Sequence, residues 1–97
     1  MVKHIILWKL RPEYNNSKIK NDVKSNLEAL KGIIPGLIEI SVQTDCLESS
    51  NADIMLYSEF ESISDLNSYA VHPAHVKAAD TFVRPFTETR MCMDFEV

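Results

Sequence analysis

The sequence predicts an α+β fold of the ferredoxin-like βαββαβ type, in which two helices cover one face of a four-stranded antiparallel sheet. The first observation is a set of four segments with apolar side chains at alternate positions, as in half-buried strands. The second is a pair of stretches with the apolar spacing of amphipathic helices. The third is a length of 97 residues, so residues 1–97 are expected to form a single domain.

The first strand is predicted over residues 2–10, VKHIILWKL, a run of large and β-branched apolar side chains closed by an Arg-Pro pair. Side chains alternate between the two faces of a strand, so His4 and Trp8 lie on one face and Ile5 and Leu7 on the other. Both faces of this strand are therefore partly apolar.

The first helix is predicted to begin at Ser17, whose hydroxyl can cap it, and to end near Lys31. Gly32 stands just past the last full turn, and the Pro35-Gly36 pair that follows forbids continuation. The apolar stripe of this helix advances in steps of three and four residues through Ile19, Val23, Leu27, Leu30 and Ile34.

Two further strands are predicted on either side of a polar, turn-rich segment, TDCLESSNAD. In GLIEISVQ the alternation places Ile38, Ile40 and Val42 on one face. The two strands are predicted to be antiparallel neighbours. In DIMLYSEF the corresponding face carries Ile54, Leu56, Ser58 and Phe60.

The second helical region is predicted to be broken within YAVHPAHV, residues 69–76. Its first part starts at Ser62, with Asp65 in the first turn, where the helix dipole favours a carboxylate. Pro73 suits the first position of a helix and His72 is the expected cap, so a second segment, HPAHVKAADTFV, is offset from the first.

The strict alternation of TETRMCMDFEV predicts the last strand.

One face of the predicted sheet is left uncovered, because both helices pack on the other face. An exposed apolar surface on the order of several hundred Å² is unusual for a soluble monomer, so a partner sheet is expected. A homodimer formed through this face is the simplest arrangement that supplies one. The side chains expected on the uncovered face are Ile5, Leu7, Met91, Met93 and Phe95.

The charge and the cysteine content limit which partners and which cellular compartment are expected. Its net charge is −4 and its lysines and arginines are scattered, so nucleic-acid binding is not expected. The two cysteines, Cys46 and Cys92, are too few for a disulfide framework and indicate a reduced, cytoplasmic protein. No segment has the length and apolar character of a signal peptide or a membrane span.

Three segments together carry a resemblance to a known family: VKHIILWKL in the first strand, IIPG after the first helix, and YAVHPAHV. On these segments the chain resembles the stress-responsive α/β-barrel (Dabb) family, which includes the olivetolic acid cyclase-like polyketide cyclases. The resemblance covers nearly the whole chain, and the segment from His72 to His75 is its most specific part. It implies a homodimer whose two open sheets form one barrel, with a cavity in each subunit between sheet and helices.

The resemblance also implies roles for two residues of YAVHPAHV. In the family's cyclases, which close a linear polyketide by aldol condensation, the working pair is a tyrosine and a histidine that match Tyr69 and His75. The positive end of the second helical segment favours a neutral His75, which suits a general base. Tyr69 would donate to a carbonyl oxygen or orient the ligand. The alternative is that His75 only bonds a nearby carbonyl as a structural residue.

Four further residues are candidates for ligand binding: His4, Trp8, Leu56 and His72. His4 and Trp8 match a histidine and a pocket position on the family's first strand. The alternative for these two residues and for Leu56 is a structural role in the core. His72 has the alternative of a cap before the proline. No metal site is expected at His72 and His75, because no third ligand stands at a suitable spacing.

Two features of the sequence limit the chemistry that is expected. The first helix carries Val23, Lys24 and Leu27 where the cyclases have an aromatic pocket wall, so a long-chain polyketide substrate is not expected. Cys92 lies near cationic Arg90 in sequence, but with no neighbouring histidine it is expected to be a buried thiol and not a nucleophile.

Three functions remain open. The first is a cofactor-free enzyme of the cyclase or lyase type, in which His75 removes a proton beside the carbonyl of a small, hydrophobic or carbonyl-containing molecule. The second is a non-catalytic ligand-binding or stress-protection scaffold that uses the same cavity. The third, a cofactor-free monooxygenase, has no distinguishing motif in this sequence.

Overall fold

The structure, a computed structural model that describes residues 1–97, is a four-stranded antiparallel sheet with its helices on one face. The strand order is β2-β3-β1-β4, and all three neighbouring pairs are antiparallel. This is the predicted ferredoxin-like βαββαβ arrangement, which is confirmed. The elements are β1 (Val2–Leu10), α1 (Ser17–Glu28), β2 (Leu37–Gln43), β3 (Ile54–Phe60), α2 (Ile63–Val71), α3 (Pro73–Ala78) and β4 (Thr87–Glu96).

The central strand β1 sets which side chains face the helices. Its even-numbered positions are buried, as the alternation predicts, and they include His4 and Trp8. Residues directly opposite each other in neighbouring strands share a face. In β4, Asp94 lies opposite His4 and Arg90 lies opposite Trp8, so these polar residues stand on the helix side of the sheet.

The hydrophobic core fills the space between this face and the helices. Phe60 of β3 and Val23 of α1 are completely buried there. Burial of apolar surface is the main favourable term in folding, so this layer holds the helices on the sheet. The helices contribute Ile19, Val23 and Leu27 from α1, and Leu66 and Tyr69 from α2.

The first helix differs from the prediction at both ends. Asn16, not Ser17, is the cap: its side-chain oxygen accepts the Ile19 N–H at 3.0 Å. The helix ends at Glu28, because Leu30 and Lys31 bond to carbonyls three residues back and the chain tightens into turns. Both departures lie in the terminal turns, where short-range bonds compete with the α-helical pattern.

The second strand also departs from strict alternation. Leu37 is buried together with Ile40 and Val42, whereas Ile38, predicted to be on their face, is only half-buried. The cause is an irregularity in the pairing with β3 between Leu37 and Glu39. An extra residue in one strand shifts the alternation by one position.

The broken helix has the predicted caps. Ser62 accepts the Asp65 N–H at 3.1 Å, and the His72 ring accepts the Ala74 N–H at 3.1 Å just before Pro73. None of the helices has the length and apolar character needed to cross a membrane.

The last part of this region is less regular than a single helix over residues 72–83. After α3 the chain makes a π-helical turn over Ala79–Val83 and then a 3₁₀ turn over Arg84–Phe86. In this region Ala78, Ala79 and Val83 are buried, whereas Val76 is half-buried.

The opposite face of the sheet has no covering layer. Leu7 is 39% exposed, Met91 73% and Met93 66%. Leu7 pairs with Met91 and Ile5 with Met93, so their side chains form one apolar surface across β1 and β4. This agrees with the predicted uncovered face.

The two glycines of the α1–β2 connection provide a matched test of packing. Both have left-handed backbone, with φ of +85° at Gly32 and +84° at Gly36. A Cβ at Gly32 would meet nothing within 4 Å, whereas a Cβ at Gly36 would collide with the side chain of Asp65. Asp65 cannot easily move away, because its carboxylate accepts from the Ser62 hydroxyl at 2.9 Å.

We therefore expect Gly36→Ala to lower the free energy of unfolding more than Gly32→Ala. The backbone strain common to both is about 1–2 kcal/mol, and the collision at Gly36 adds overpacking of about 1–3 kcal/mol. Urea unfolding of the two variants measures the difference. Equal values for the two variants would contradict the close packing of the α1–β2 connection against α2.

Candidate functional site

A small cavity lies between the sheet and the helices. Its volume is about 70 Å³. Trp8 of β1, Leu27 of α1 and Leu56 of β3 form much of its apolar wall. Its polar wall is made by Tyr69, His75, Arg84, Thr87 and Arg90.

A larger depression, of about 290 Å³, lies beside the loop between β2 and β3. It is an open surface feature that carries Asp45 and Asp53 but neither a histidine nor a tyrosine. The smaller cavity is therefore the better candidate site, since it brings acid and base groups together against apolar walls.

Tyr69, from the second turn of α2, is the most buried polar side chain of the cavity. It is only 1% exposed, and its hydroxyl is buried with no hydrogen-bond partner in the protein. Burial raises the pKa of Tyr69 well above its ordinary value of 10.0, so the hydroxyl keeps its proton at neutral pH. A buried hydroxyl without a partner is costly, and a ligand oxygen in the cavity would satisfy it.

His75, on α3, is oriented by the break between the helices. The His72 ring takes the Ala74 N–H, so this N–H does not bond the Ala70 carbonyl as it would in a continuous helix. The Nδ1 of His75 lies 3.2 Å from this carbonyl oxygen. Since a carbonyl only accepts, Nδ1 carries the hydrogen and Nε2 keeps its lone pair when the ring is neutral.

Burial is the main reason that the pKa of His75 lies below its ordinary value of 6.5. The charge of Arg84 lowers the pKa further, as do His4 and Arg90, while the bond to Ala70 opposes them. The sequence predicted a neutral His75 because of the helix dipole. In the structure this neutrality rests chiefly on burial. A ring that is neutral at pH 7, with a free Nε2, has the properties of a general base.

Tyr69 and His75 stand side by side at the cavity. Their ring centroids are 4.3 Å apart and the ring planes are inclined by 38°. The rings are thus in tilted contact, and no hydrogen bond joins them. The Tyr69 hydroxyl and the His75 Nε2 therefore both remain without a hydrogen-bond partner in the protein.

The structure brings four of the six predicted site residues to this cavity: Trp8, Leu56, Tyr69 and His75. His4 lies behind Tyr69, with ring centroids 6.2 Å apart, and its Nδ1 contacts the Asp94 carboxylate. It is buried in the core and does not line the cavity. His72 also lies outside the cavity, where its ring caps α3.

Sequence reasoning did not find the two arginines of the cavity. Arg84 follows the π-helical turn and pairs with Asp80, whereas Arg90 makes no ion pair. The alternation of β4 placed Arg90 on the face of Cys92 and Asp94, but its position opposite Trp8 depends on strand register. That register is a property of the folded sheet.

Cys92 differs from the prediction, because it is exposed. Strand β4 is an edge strand and the helices do not extend over its outer side chains. Partial desolvation and the neighbouring Asp94 raise the pKa of the Cys92 thiol. The thiol is therefore not activated as a nucleophile.

Comparison with known proteins places the chain among relatives that share this fold. The family model of the Stress responsive A/B Barrel Domain matches residues 2–97. The chain is 32% identical to a stress-response A/B barrel domain-containing protein of Arabidopsis thaliana, over 98% of this chain but 36% of that protein. It is 27% identical to olivetolic acid cyclase of Cannabis sativa, over 97% of this chain and 94% of the cyclase.

A solved structure gives the same result. A dimeric protein of unknown function with a ferredoxin-like fold, from Bacteroides fragilis, is 36% identical and superposes with a TM-score of 0.90. The match covers 99% of this chain and 95% of that one. The strand order and the whole-length family match lead to one conclusion: the chain belongs to the stress-responsive A/B barrel domain (Dabb) family.

Proposed function

We propose that the protein is a cofactor-independent acid/base catalyst for a small carbonyl-containing molecule, with His75 as the base and Tyr69 as the proton donor. The observation that carries this proposal is the buried Tyr69 hydroxyl, which has no partner in the protein and belongs to a residue that lines a cavity together with His75. Its raised pKa keeps it a donor, and the lowered pKa of His75 keeps the ring an acceptor. The pair therefore offers complementary acid and base functions.

The reaction begins with proton transfer to His75. Its Nε2 takes a proton from the carbon next to the substrate carbonyl, and the electrons of that C–H bond shift to form an enolate. The Tyr69 hydroxyl donates to the oxygen on which negative charge develops, and the positive charges of Arg84 and Arg90 at the cavity wall favour the same charge. His75 then returns the proton to the product.

The cavity volume supports a small substrate. About 70 Å³ is far below the roughly 300–1,000 Å³ of sites for drug-sized ligands. The whole-length relative named olivetolic acid cyclase supports carbonyl chemistry as the reaction class, whereas the narrow cavity supports a substrate shorter than a long-chain polyketide.

One contact favours the second candidate, a non-catalytic ligand-binding or stress-protection scaffold. The bond from His75 Nδ1 to the Ala70 carbonyl joins α3 to α2 across the helix break. In this case His75 serves the fold, and its replacement lowers stability without affecting any reaction.

We also propose that the protein forms a homodimer through the uncovered face of its sheet. The apolar side chains of β1 and β4 on that face are exposed in the single chain, and burying them against a second copy removes this surface from water. The Bacteroides fragilis relative, which is described as dimeric, supports this arrangement. A cytoplasmic location stays a prediction from the two free cysteines.

The catalytic proposal is tested by proton exchange, which requires no knowledge of the natural product. Small ketones and β-dicarbonyl compounds are incubated with the protein in D₂O, and deuterium incorporation beside the carbonyl is followed by NMR. We expect His75→Gln to slow protein-dependent exchange by about 10²–10⁴-fold. Tyr69→Phe should slow it by about 10²–10³-fold, because it removes an oxyanion donor.

Stability separates a catalytic from a structural effect. Tyr69→Phe removes a buried hydroxyl that has no partner, so its free energy of unfolding should equal or exceed that of the natural protein. Tyr14→Phe, on a half-exposed ring outside the cavity, is the matched control and should leave exchange unchanged. Wild-type exchange rates in both cavity variants would contradict the proposed roles.

The lowered pKa of His75 predicts a pH dependence of stability. The unfolded chain binds this proton near pH 6.5, the ordinary value, whereas the folded chain binds it only at lower pH. Stability is therefore lost as the pH falls below about 6.5, because the unfolded state takes up the proton first. Urea unfolding at about pH 7.5 and about pH 5.5 should show a smaller loss for His75→Gln than for the natural protein. Equal losses would contradict the burial of a neutral His75.

Light scattering tests the dimer. We expect twice the chain mass of 11.1 kDa for the natural protein, and the monomer mass for Met93→Lys, which places a charge on the uncovered face. Val71→Lys is the matched control, because Val71 is an exposed apolar residue on α2, in the helical layer, and should leave the mass unchanged. A monomeric natural protein, or a Met93→Lys variant that remains dimeric, would contradict the proposed interface.

A further inference from the structure

A second polar cluster lies on the helix side of the sheet, outside the cavity. It consists of His4 of β1 and Cys92 and Asp94 of β4. Asp94 lies directly opposite His4, and Cys92 is two positions before it along the same face. One ligand atom from each of the three residues lies within 4.8 Å of the others.

The separations in this cluster match the edges of a zinc coordination tetrahedron. With Zn–S bonds of about 2.3 Å and Zn–N or Zn–O bonds of about 2.0–2.2 Å, a ligand sulfur lies about 3.5–3.7 Å from each neighbouring ligand atom. The Cys92 sulfur is 3.7 Å from the His4 Nδ1 and 3.5 Å from the Asp94 Oδ1. Two of the three edges therefore already have the required length.

The third edge is shorter, because the His4 Nδ1 and Asp94 Oδ1 are in direct contact. A metal ion entering between them replaces this single hydrogen bond with two coordination bonds, and the neutral His4 ring then carries its hydrogen on Nε2 in place of Nδ1. Asp94 is on an edge strand with a substantially exposed side chain, so its carboxylate has room to move outward. His4 is buried on the central strand, which holds its ring in place.

We propose that His4, Cys92 and Asp94 form a binding site for a single Zn²⁺ ion. The donor set of one nitrogen, one sulfur and one oxygen suits zinc, whereas Mg²⁺ and Ca²⁺ take oxygen ligands. A thiolate and a carboxylate balance the two positive charges of the ion, and binding releases the thiol proton to solvent. Cys92 and Asp94 are exposed, so the fourth position of the tetrahedron faces solvent and is open to a water molecule or a small anion.

The site is independent of both proposals above. It uses neither Tyr69 nor His75. The proposed dimer leaves it uncovered, because Cys92 and Asp94 point to the opposite side of β4 from Met91 and Met93. Failure of the zinc site would therefore leave the catalytic and dimer proposals standing.

The test uses Co²⁺ as a spectroscopic probe for Zn²⁺ on reduced, chelator-treated protein. We expect a near-ultraviolet charge-transfer band from a cobalt–thiolate bond, saturating at one Co²⁺ per chain and removed by Zn²⁺. Cys92→Ser should abolish the band and weaken Zn²⁺ binding, measured by calorimetry, by more than the roughly 100-fold that loss of an outer-shell partner can cost, because it removes a direct ligand. Asp94→Asn should keep the band but weaken Zn²⁺ binding by at least about 10-fold.

Cys46→Ser is the matched control, because Cys46 is the other free cysteine and lies exposed in the loop after β2. It should leave both the band and the Zn²⁺ affinity unchanged. Both test substitutions are on exposed side chains of an edge strand, so circular dichroism should show folded variants. The proposal is overturned if the natural protein gives no thiolate band, if the band survives in Cys92→Ser, or if it requires Cys46.

Discussion

The alternation of β1 is the constraint on which the rest of the structure depends. This strand is central in the sheet, with β3 on one side and β4 on the other. Paired residues share a face, so the two faces of β1 also decide which side chains of β3 and β4 face the helices. One face packs on the helices and creates the core and the cavity. The other presents the apolar surface proposed for the dimer. A slip of one residue would exchange the two sets, so register decides core, site and interface together.

The break between α2 and α3 makes the candidate site. Pro73 has no N–H, and the His72 ring takes the next N–H, that of Ala74. The Ala70 carbonyl is then free to accept from His75, which fixes the tautomer of that ring. Tyr69 ends up on one side of the break and His75 on the other, in ring contact. The same set of hydrogen bonds therefore caps the short helix α3 and orients His75, the candidate base.

Strand β4 carries polar chemistry because the helices leave its outer side chains exposed. On the helix side it presents Arg90 to the cavity and Cys92 and Asp94 to His4. These groups stay at the margin of the core, where a charge remains partly solvated. The same strand is apolar on its other face, at Met91 and Met93. An edge strand with two such faces supplies both the apolar surface proposed for the dimer and the polar groups beside the core.

The sequence by itself determined the order of the elements, the two faces of β1, the caps at Ser62 and His72, and the family. These properties are local, because apolar periodicity and capping depend on neighbours along the chain. Only the tertiary structure decided that Arg90 lines the cavity, that His4 contacts Asp94 outside the cavity, and that the Tyr69 hydroxyl has no partner. The physical reason is that strand register and helix packing bring together residues far apart in the chain, such as His4 and Asp94, and no periodicity in the sequence records that distance.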